Sequence, residues 1–374
     1  MMGGEFENLI KVITTVILSL TYTYYLQSRI QKGYLRLILI IPVITIFFLL
    51  PLLLTSVHFG GTVGFFISWL ANFKLLLFAF GQGPLCSHPS NSITLKEFIY
   101  LACLPIKIKQ NPHQFDQNKT TPNHPINNLD PKKTEDSPHL AATNGHKSLL
   151  NYAIKVVLLV MMVRIYAYKD YIHPYVILLL YGIHVYFALE ILLFMVAALA
   201  RSVLGLELEP QFDDPYMATS LQDFWGRRWN LMVPSILRPT VYLPVRSVAN
   251  RVLGKKWELL PAALATFIVS GLMHEVIFFY LGRVRPTWEV MWFFALHGVC
   301  LALEIEVKRA LKGRWGLHPM VSRLLTMAFV MVTGIRLFFP QFLQCHADVR
   351  AIQEYAIFAE FMKESVHNWR HWKW

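Results

Sequence analysis

Apolar side chains run along this chain in eight stretches, each near twenty residues long. They cover 8–26, 35–54, 62–80, 149–168, 175–200, 259–281, 288–307 and 321–343. Each is long enough for a helix to cross the hydrocarbon of a bilayer. The pattern predicts an all-α, polytopic integral membrane protein. The first stretch follows Glu5 and Glu7, and no small-residue cleavage site comes after it, so it is expected to stay as a span.

Composition agrees. Of the 374 residues, 55% are hydrophobic and only 16% charged, against about a quarter charged in soluble domains. Disorder, a coiled coil and a disulfide-stapled module are excluded together. Lys and Arg exceed Asp and Glu by 35 to 23. Nucleic acid is not needed to explain this, because cytosolic loops of membrane proteins collect basic residues. A polyanionic substrate would want them too. The cysteines Cys86, Cys103, Cys300 and Cys345 lack CxxC spacing and read as free thiols.

The basic residues alternate between loops. Segments 27–36, 81–148, 201–258 and 308–323 carry most of them, and 55–61, 169–174 and 282–287 carry few. That places both ends of the chain on the non-cytosolic side, with Arg283 and Arg285 as exceptions. Residues 105–148, rich in Asn and Pro, are expected to be a disordered cytosolic loop. It holds the acceptor pattern Asn118-Lys119-Thr120, which this topology leaves unglycosylated. Segment 201–258 differs. Trp225, Trp229, Trp257 and five prolines suit short helices in the membrane interface. The whole chain reads as one domain: a three-span part (1–104), the loop (105–148), a part carrying the candidate chemistry (149–344) and a tail (345–374).

Polar residues inside a span are costly, so each needs a reason. His184 and Glu190 lie in the fifth stretch, Ser270, His274 and Glu275 in the sixth, and His297, Glu304 and Glu306 in the seventh. Lys74 and Arg336 fall near helix ends, where snorkelling accounts for them. His297 and Glu304, seven apart on one face, read as a structural pair. His184 and Glu190 do not share a face. His367 and His371 have metal-ligand spacing without a third ligand, so no metal is implied.

The strongest cluster is Ser270-Gly271-Leu272-Met273-His274-Glu275. A neutral imidazole buried there can take a proton from a hydroxyl. Ser270, four residues earlier, shares its face. Gly271 leaves room for a ligand or another helix, and Glu275 points about 100° away, toward a neighbouring element. A structural His–Glu pair between packed helices is the alternative. The second cluster is Phe224-Trp225-Gly226-Arg227-Arg228-Trp229-Asn230. Here Trp225 and Trp229 would anchor at headgroup level, Arg227 and Arg228 would grip phosphate, and Asn230 offers a donor and an acceptor. A plain Trp/Arg interfacial anchor is its alternative. HxxxxD, GxSxG, Walker A, GxGxxG and the histidine boxes of di-iron desaturases are all missing from the sequence.

These two clusters, with His274 forty-four residues after Asn230, resemble the paired signature of the membrane-bound O-acyltransferase superfamily. Leu206-Glu207-Leu208-Glu209-Pro210, Ala218-Thr219-Ser220-Leu221-Gln222-Asp223 and Arg238-Pro239-Thr240-Val241-Tyr242 are similar to its plant wax synthase-like branch. So are Trp69-Leu70-Ala71-Asn72-Phe73-Lys74 and Leu104-Pro105-Ile106-Lys107. That branch includes long-chain-alcohol O-fatty-acyltransferases and acyl-CoA:sterol O-acyltransferases.

The resemblance implies helices around an intramembrane cavity, His274 as catalytic residue and Asn230 as its partner, with transfer from acyl-CoA to a hydroxyl. Acyl-CoA is then a co-substrate and no cofactor is expected. Ser270, Glu275, Trp225 and Trp229 would support the site. Arg227, Arg228, Lys255 and Lys256 would meet the CoA phosphates. The expected setting is the endoplasmic reticulum membrane, with the bilayer, acyl-CoA and a long-chain alcohol or sterol as partners. Another acceptor (diacylglycerol, a sugar or a protein) is the alternative within catalysis. A transporter lined by His274, His297 and Glu304, or a non-catalytic scaffold, remain open outside it. The acceptor and the oligomeric state are not legible in the residues.

Overall fold

The computed structural model describes residues 2–86, 93–106, 138–205, 208–311 and 317–371. Eight helices within them are long and apolar enough to cross a membrane. They are α1 (Gly4–Leu26), α2 (Tyr34–Leu53), α3 (Val57–Ala79), α5 (Leu149–Tyr171), α6 (Pro174–Leu204), α9 (Leu259–Gly282), α10 (Glu289–Leu311) and α11 (Pro319–Gln344). Between them lie a short α4 (Leu95–Cys103) and two connected pieces, α7 over 221–228 and α8 over 232–253. A last helix, α12 (Ala347–His371), occupies what the sequence suggested was a tail. The helix leading into α5 begins at Pro138, inside the expected loop. The rest of that loop, with Asn118, lies outside the described residues.

Local chemistry sets several starts. His173 and His318 each sit at an N-cap, accept a backbone N–H two residues on, and are followed by proline at the first helical position. Thr94 and Glu97 form a capping box on α4.

The span α3 is the centre of the bundle, with 78% of its window buried against at most 39% in any other span. It therefore bears polar groups that must find partners inside the protein. Ser68 donates to the Phe47 carbonyl (2.6 Å) and Asn72 to Ile44 O and Ser68 O. Lys74 does not snorkel. Fully buried, its Nζ donates to the carbonyls of Leu101 (2.6 Å) and Leu104 (2.6 Å), at the end of α4. These carbonyls and the negative end of the helix dipole replace water for the ammonium.

At one end of the bundle, charged groups clasp four segments together. Glu5 accepts from the N–H groups of Thr55 (2.8 Å) and Ser56 (2.7 Å). Glu354 of α12 accepts from Val57 N (2.6 Å), His58 N (3.1 Å), the Ser56 hydroxyl (2.8 Å) and His58 Nδ1 (2.6 Å), capping α3. Burial alone would raise the pKa of this carboxyl; the bonds from His58, Val57 N–H and Ser56 outweigh it and hold the value at about 2. Arg283 donates to Pro51 O and Leu54 O, and Arg350 to Leu281 O and Thr55 O. Arg283, an exception to the loop-charge pattern, is thus a clamp on carbonyls and owes its place to packing.

The other polar residues of the spans are paired too, though not always with the partner that spacing suggested. Glu304 does not meet His297. It accepts from Leu221 N (2.8 Å) and from Lys308 (2.6 Å), capping α7. His184 Nε2 meets the Tyr355 hydroxyl of α12 (3.2 Å), and Glu190 accepts from the buried Lys155 of α5 (2.5 Å). Glu306 accepts from Arg309 (2.8 Å). Helix partners three and four apart are read easily from spacing; contacts between helices depend on packing.

Candidate active site

A cavity of about 220 Å³ lies between α3, α7, α8, α9 and α10. Its walls are mainly apolar, with Phe65, Val233, Leu237 and Phe267 among them, and His274, Ser270 and Asn230 supply polar atoms. Four stretches of wide helical turn, with i→i+5 bonding, fall at 64–71, 224–228, 238–242 and 334–338. They bring Trp69, Trp225 and Tyr242 to the cavity and Phe338 against His274. Such turns redirect side chains that a regular helix would carry past the site.

His274 sits midway along α9. Its Nδ1 lies 2.7 Å from the carbonyl oxygen of Ser270. A carbonyl only accepts, so Nδ1 carries the proton and Nε2 keeps its lone pair. It is thus the Ser270 backbone that orients the ring. Aromatic rings grip it further: Phe294 stacks at 4.4 Å, and Trp69 (5.1 Å) and Phe338 (5.9 Å) meet it edge-on. Among the described residues Nε2 has no partner.

Asn230 follows α7 with φ 42°, in the left-handed region that asparagine tolerates better than most residues. Flanking bonds hold it there, Leu231 N donating to Gln211 O (2.8 Å) and Val233 N to Asn230 O (3.0 Å). Its side chain is buried, lines the cavity, and its Oδ1 has no partner among the described residues. A buried amide oxygen left unbonded costs free energy, which a bound ligand could recover.

Glu275 faces the opposite way and accepts from Met291 N (3.0 Å), capping the first turn of α10. Gly271 lets α10 approach: a Cβ there would lie 3.0 Å from Met291 Sδ and 3.1 Å from Phe294 Cβ. Together they set the height at which Phe294 meets His274.

Trp225 and Trp229 both line the cavity. Phe224, Met232, Ile236 and Leu237 are buried, which turns segment 221–237 inward and makes both tryptophans cavity walls. Trp229 stacks on Phe224 at 5.5 Å. Arg228 is already engaged, donating to Asp223 Oδ2 (2.9 Å) and Asp213 O (3.0 Å), so it organises the segment and has little left for phosphate. Arg227 is exposed, as are Lys255 and Lys256. Sequence reasoning had assigned no role to Trp69, Phe294 or Phe338. Trp69 stands in a stretch that resembles the family, but no role attaches to it there; the only signal of Phe294 and Phe338 is an aromatic residue in an apolar run, which does not set it apart from ordinary core.

The chain matches the profile of the membrane bound O-acyl transferase family over residues 208–296, the segment that holds Asn230 and His274. It is 47% identical to acyl-CoA–sterol O-acyltransferase 1 of Arabidopsis thaliana, over 95% of this chain and 96% of that one. The protein belongs to the membrane-bound O-acyltransferase family. It is also 45% identical to probable long-chain-alcohol O-fatty-acyltransferase 3 of Arabidopsis thaliana, over 91% of both chains. The long-chain-alcohol O-fatty-acyltransferase of Simmondsia chinensis shares 45% identity over 89% of both. The family member described here is a multi-pass membrane protein and an acyltransferase.

Proposed function

We propose that this acyltransferase moves a fatty acyl group from acyl-CoA to the hydroxyl of a long-chain alcohol or a sterol, at His274, in the endoplasmic reticulum membrane. The observation that carries the reading is the pair of unpartnered polar groups in one apolar cavity, the Nε2 lone pair of His274 and the Asn230 amide. An alcohol is a weak nucleophile at neutral pH unless a base removes its proton as it attacks. Nε2 takes that proton. The hydroxyl oxygen then adds to the thioester carbonyl, and the Asn230 NH₂ donates to the oxyanion that forms. Collapse expels the CoA thiolate, which recovers the proton from His274. No covalent acyl-enzyme is required. The apolar walls would keep out water that would hydrolyse the thioester. Lys255 and Lys256, both exposed, and Arg227, exposed beside its ion-pair partner Asp223 (3.3 Å), would meet the phosphates of CoA, and Arg228 holds the segment in place.

The test is a microsomal assay in cells lacking their own neutral-lipid esterification. Labelled oleoyl-CoA is offered with hexadecanol, with a sterol, with diacylglycerol or alone. Ester with hexadecanol or sterol is the expected result, and the better acceptor names the substrate class. Ester with diacylglycerol alone, or with none, contradicts the reading.

A further inference from the structure

A second histidine near the cavity is His297 of α10, which is fully buried and bonded to the cavity-lining Trp225 without lining the cavity itself. Its two nitrogens are both committed. The indole N–H of Trp225 donates to Nδ1 (3.0 Å). An indole nitrogen can only donate, so Nδ1 is the acceptor and Nε2 carries the proton. The far side demands the same arrangement. Nε2 lies 2.8 Å from the Thr333 hydroxyl, whose own proton goes to Phe329 O (2.7 Å), which leaves the hydroxyl oxygen to accept from Nε2. The chain Trp225 → His297 → Thr333 → Phe329 O therefore has one proton arrangement, running from the cavity wall into α11.

We propose that His297 is a positioning residue of the acyl transfer, acting through Trp225; this rests on the function proposed above. The indole it holds packs on Phe294 (5.8 Å), the ring stacked on His274, and on Trp229 (6.4 Å), which precedes Asn230. Trp225 thus touches both the residue that abuts the base and the residue beside the oxyanion donor. Packing alone would be met by phenylalanine at 225. The indole N–H adds a direction, because a buried donor must face its acceptor. Losing that acceptor frees the ring to tilt, and displacements near 1 Å at reacting groups cost about a hundredfold.

A double-mutant cycle tests this on the full-length protein purified into vesicles, with oleoyl-CoA and the acceptor preferred by wild type. His297→Phe is expected to lower kcat per folded molecule by about ten- to a hundredfold, with KM for oleoyl-CoA changed by less than about threefold. Trp225→Phe is expected to cost a similar factor. The double variant should be no worse than the poorer single, because both remove one interaction. His297→Asn, which restores an acceptor near the Nδ1 position, should recover most of the loss. Thr333→Val covers the case in which His297→Phe does not fold. It leaves the ring without its anchor, should lower kcat a few-fold, and should add nothing in the Trp225→Phe background. Multiplicative losses in either cycle, or unchanged kcat in the His297 and Thr333 variants with only melting temperature lowered, overturn the role of His297. A wild type that forms no ester overturns instead the reading on which it rests.

Discussion

The clasp and the cavity are built from similar side chains used in opposite ways. At the clasp, Glu5, Glu354, Arg283 and Arg350 are all bonded to backbone or side-chain partners. In the cavity, among the described residues, Nε2 of His274, Oδ1 of Asn230 and the buried indole nitrogen of Trp69 have no hydrogen-bond partner. A fold tolerates few such groups, since each forgoes a hydrogen bond in a low-dielectric interior. The clasp spends its polar groups on holding α1, α3, α9 and α12 in register. The cavity withholds them for a ligand. The same contrast separates the two histidines: His297 has both nitrogens bonded, and His274 has one.

Changes on the two sides should therefore separate activity from stability. The largest effect is expected from His274→Ala, a loss of transfer by three or more orders of magnitude with an unchanged melting temperature, read in purified protein. Asn230→Ala follows, with a fall in kcat of about a hundred- to a thousandfold, as for loss of one oxyanion donor. A fall in thermal stability without that drop would move Asn230 to the scaffold side.

Glu354→Gln should act the other way. Its carboxylate is held at about 2, below the ordinary 4.5, so the stability it confers is complete above about pH 4.5 and is lost as pH falls toward 2. The wild-type melting temperature should drop more steeply than that of Glu354→Gln between pH 5 and 3. Parallel curves would show that the clasp does not depend on that charge. The smallest effect is expected from Gly271→Ala. Its Cβ would press on Met291 and Phe294, shift α10 by a few tenths of an ångström and lower kcat a few-fold. Gly60→Ala, which meets open space, is the neutral control.

The division between clasp and cavity was only half visible in the sequence. All eight spans were legible, because a bilayer demands about twenty apolar residues wherever the chain crosses it. That Asn230 and His274 belong together came from the family resemblance and not from residue type or spacing; in the fold both line one cavity. The partners of Lys74, His297 and Arg283 were not legible. Each bonds across to a different helix or loop: Lys74 to carbonyls of 101–104, His297 to Trp225 and Thr333, Arg283 to carbonyls at 51 and 54. Spacing along one helix carries no information on such contacts. The inward turn of Trp225 was hidden for the same reason, as the buried Phe224 and Leu237 beside it read equally well as an interfacial face.

The most direct test sets His274→Ala beside Glu354→Ala, each purified at matched yield of folded protein, and measures both melting temperature and ester formed from oleoyl-CoA. The account predicts that His274→Ala melts like wild type and makes essentially no ester, and that Glu354→Ala melts several degrees lower and keeps its turnover per folded molecule. Ester formation by His274→Ala at near wild-type rate would contradict it.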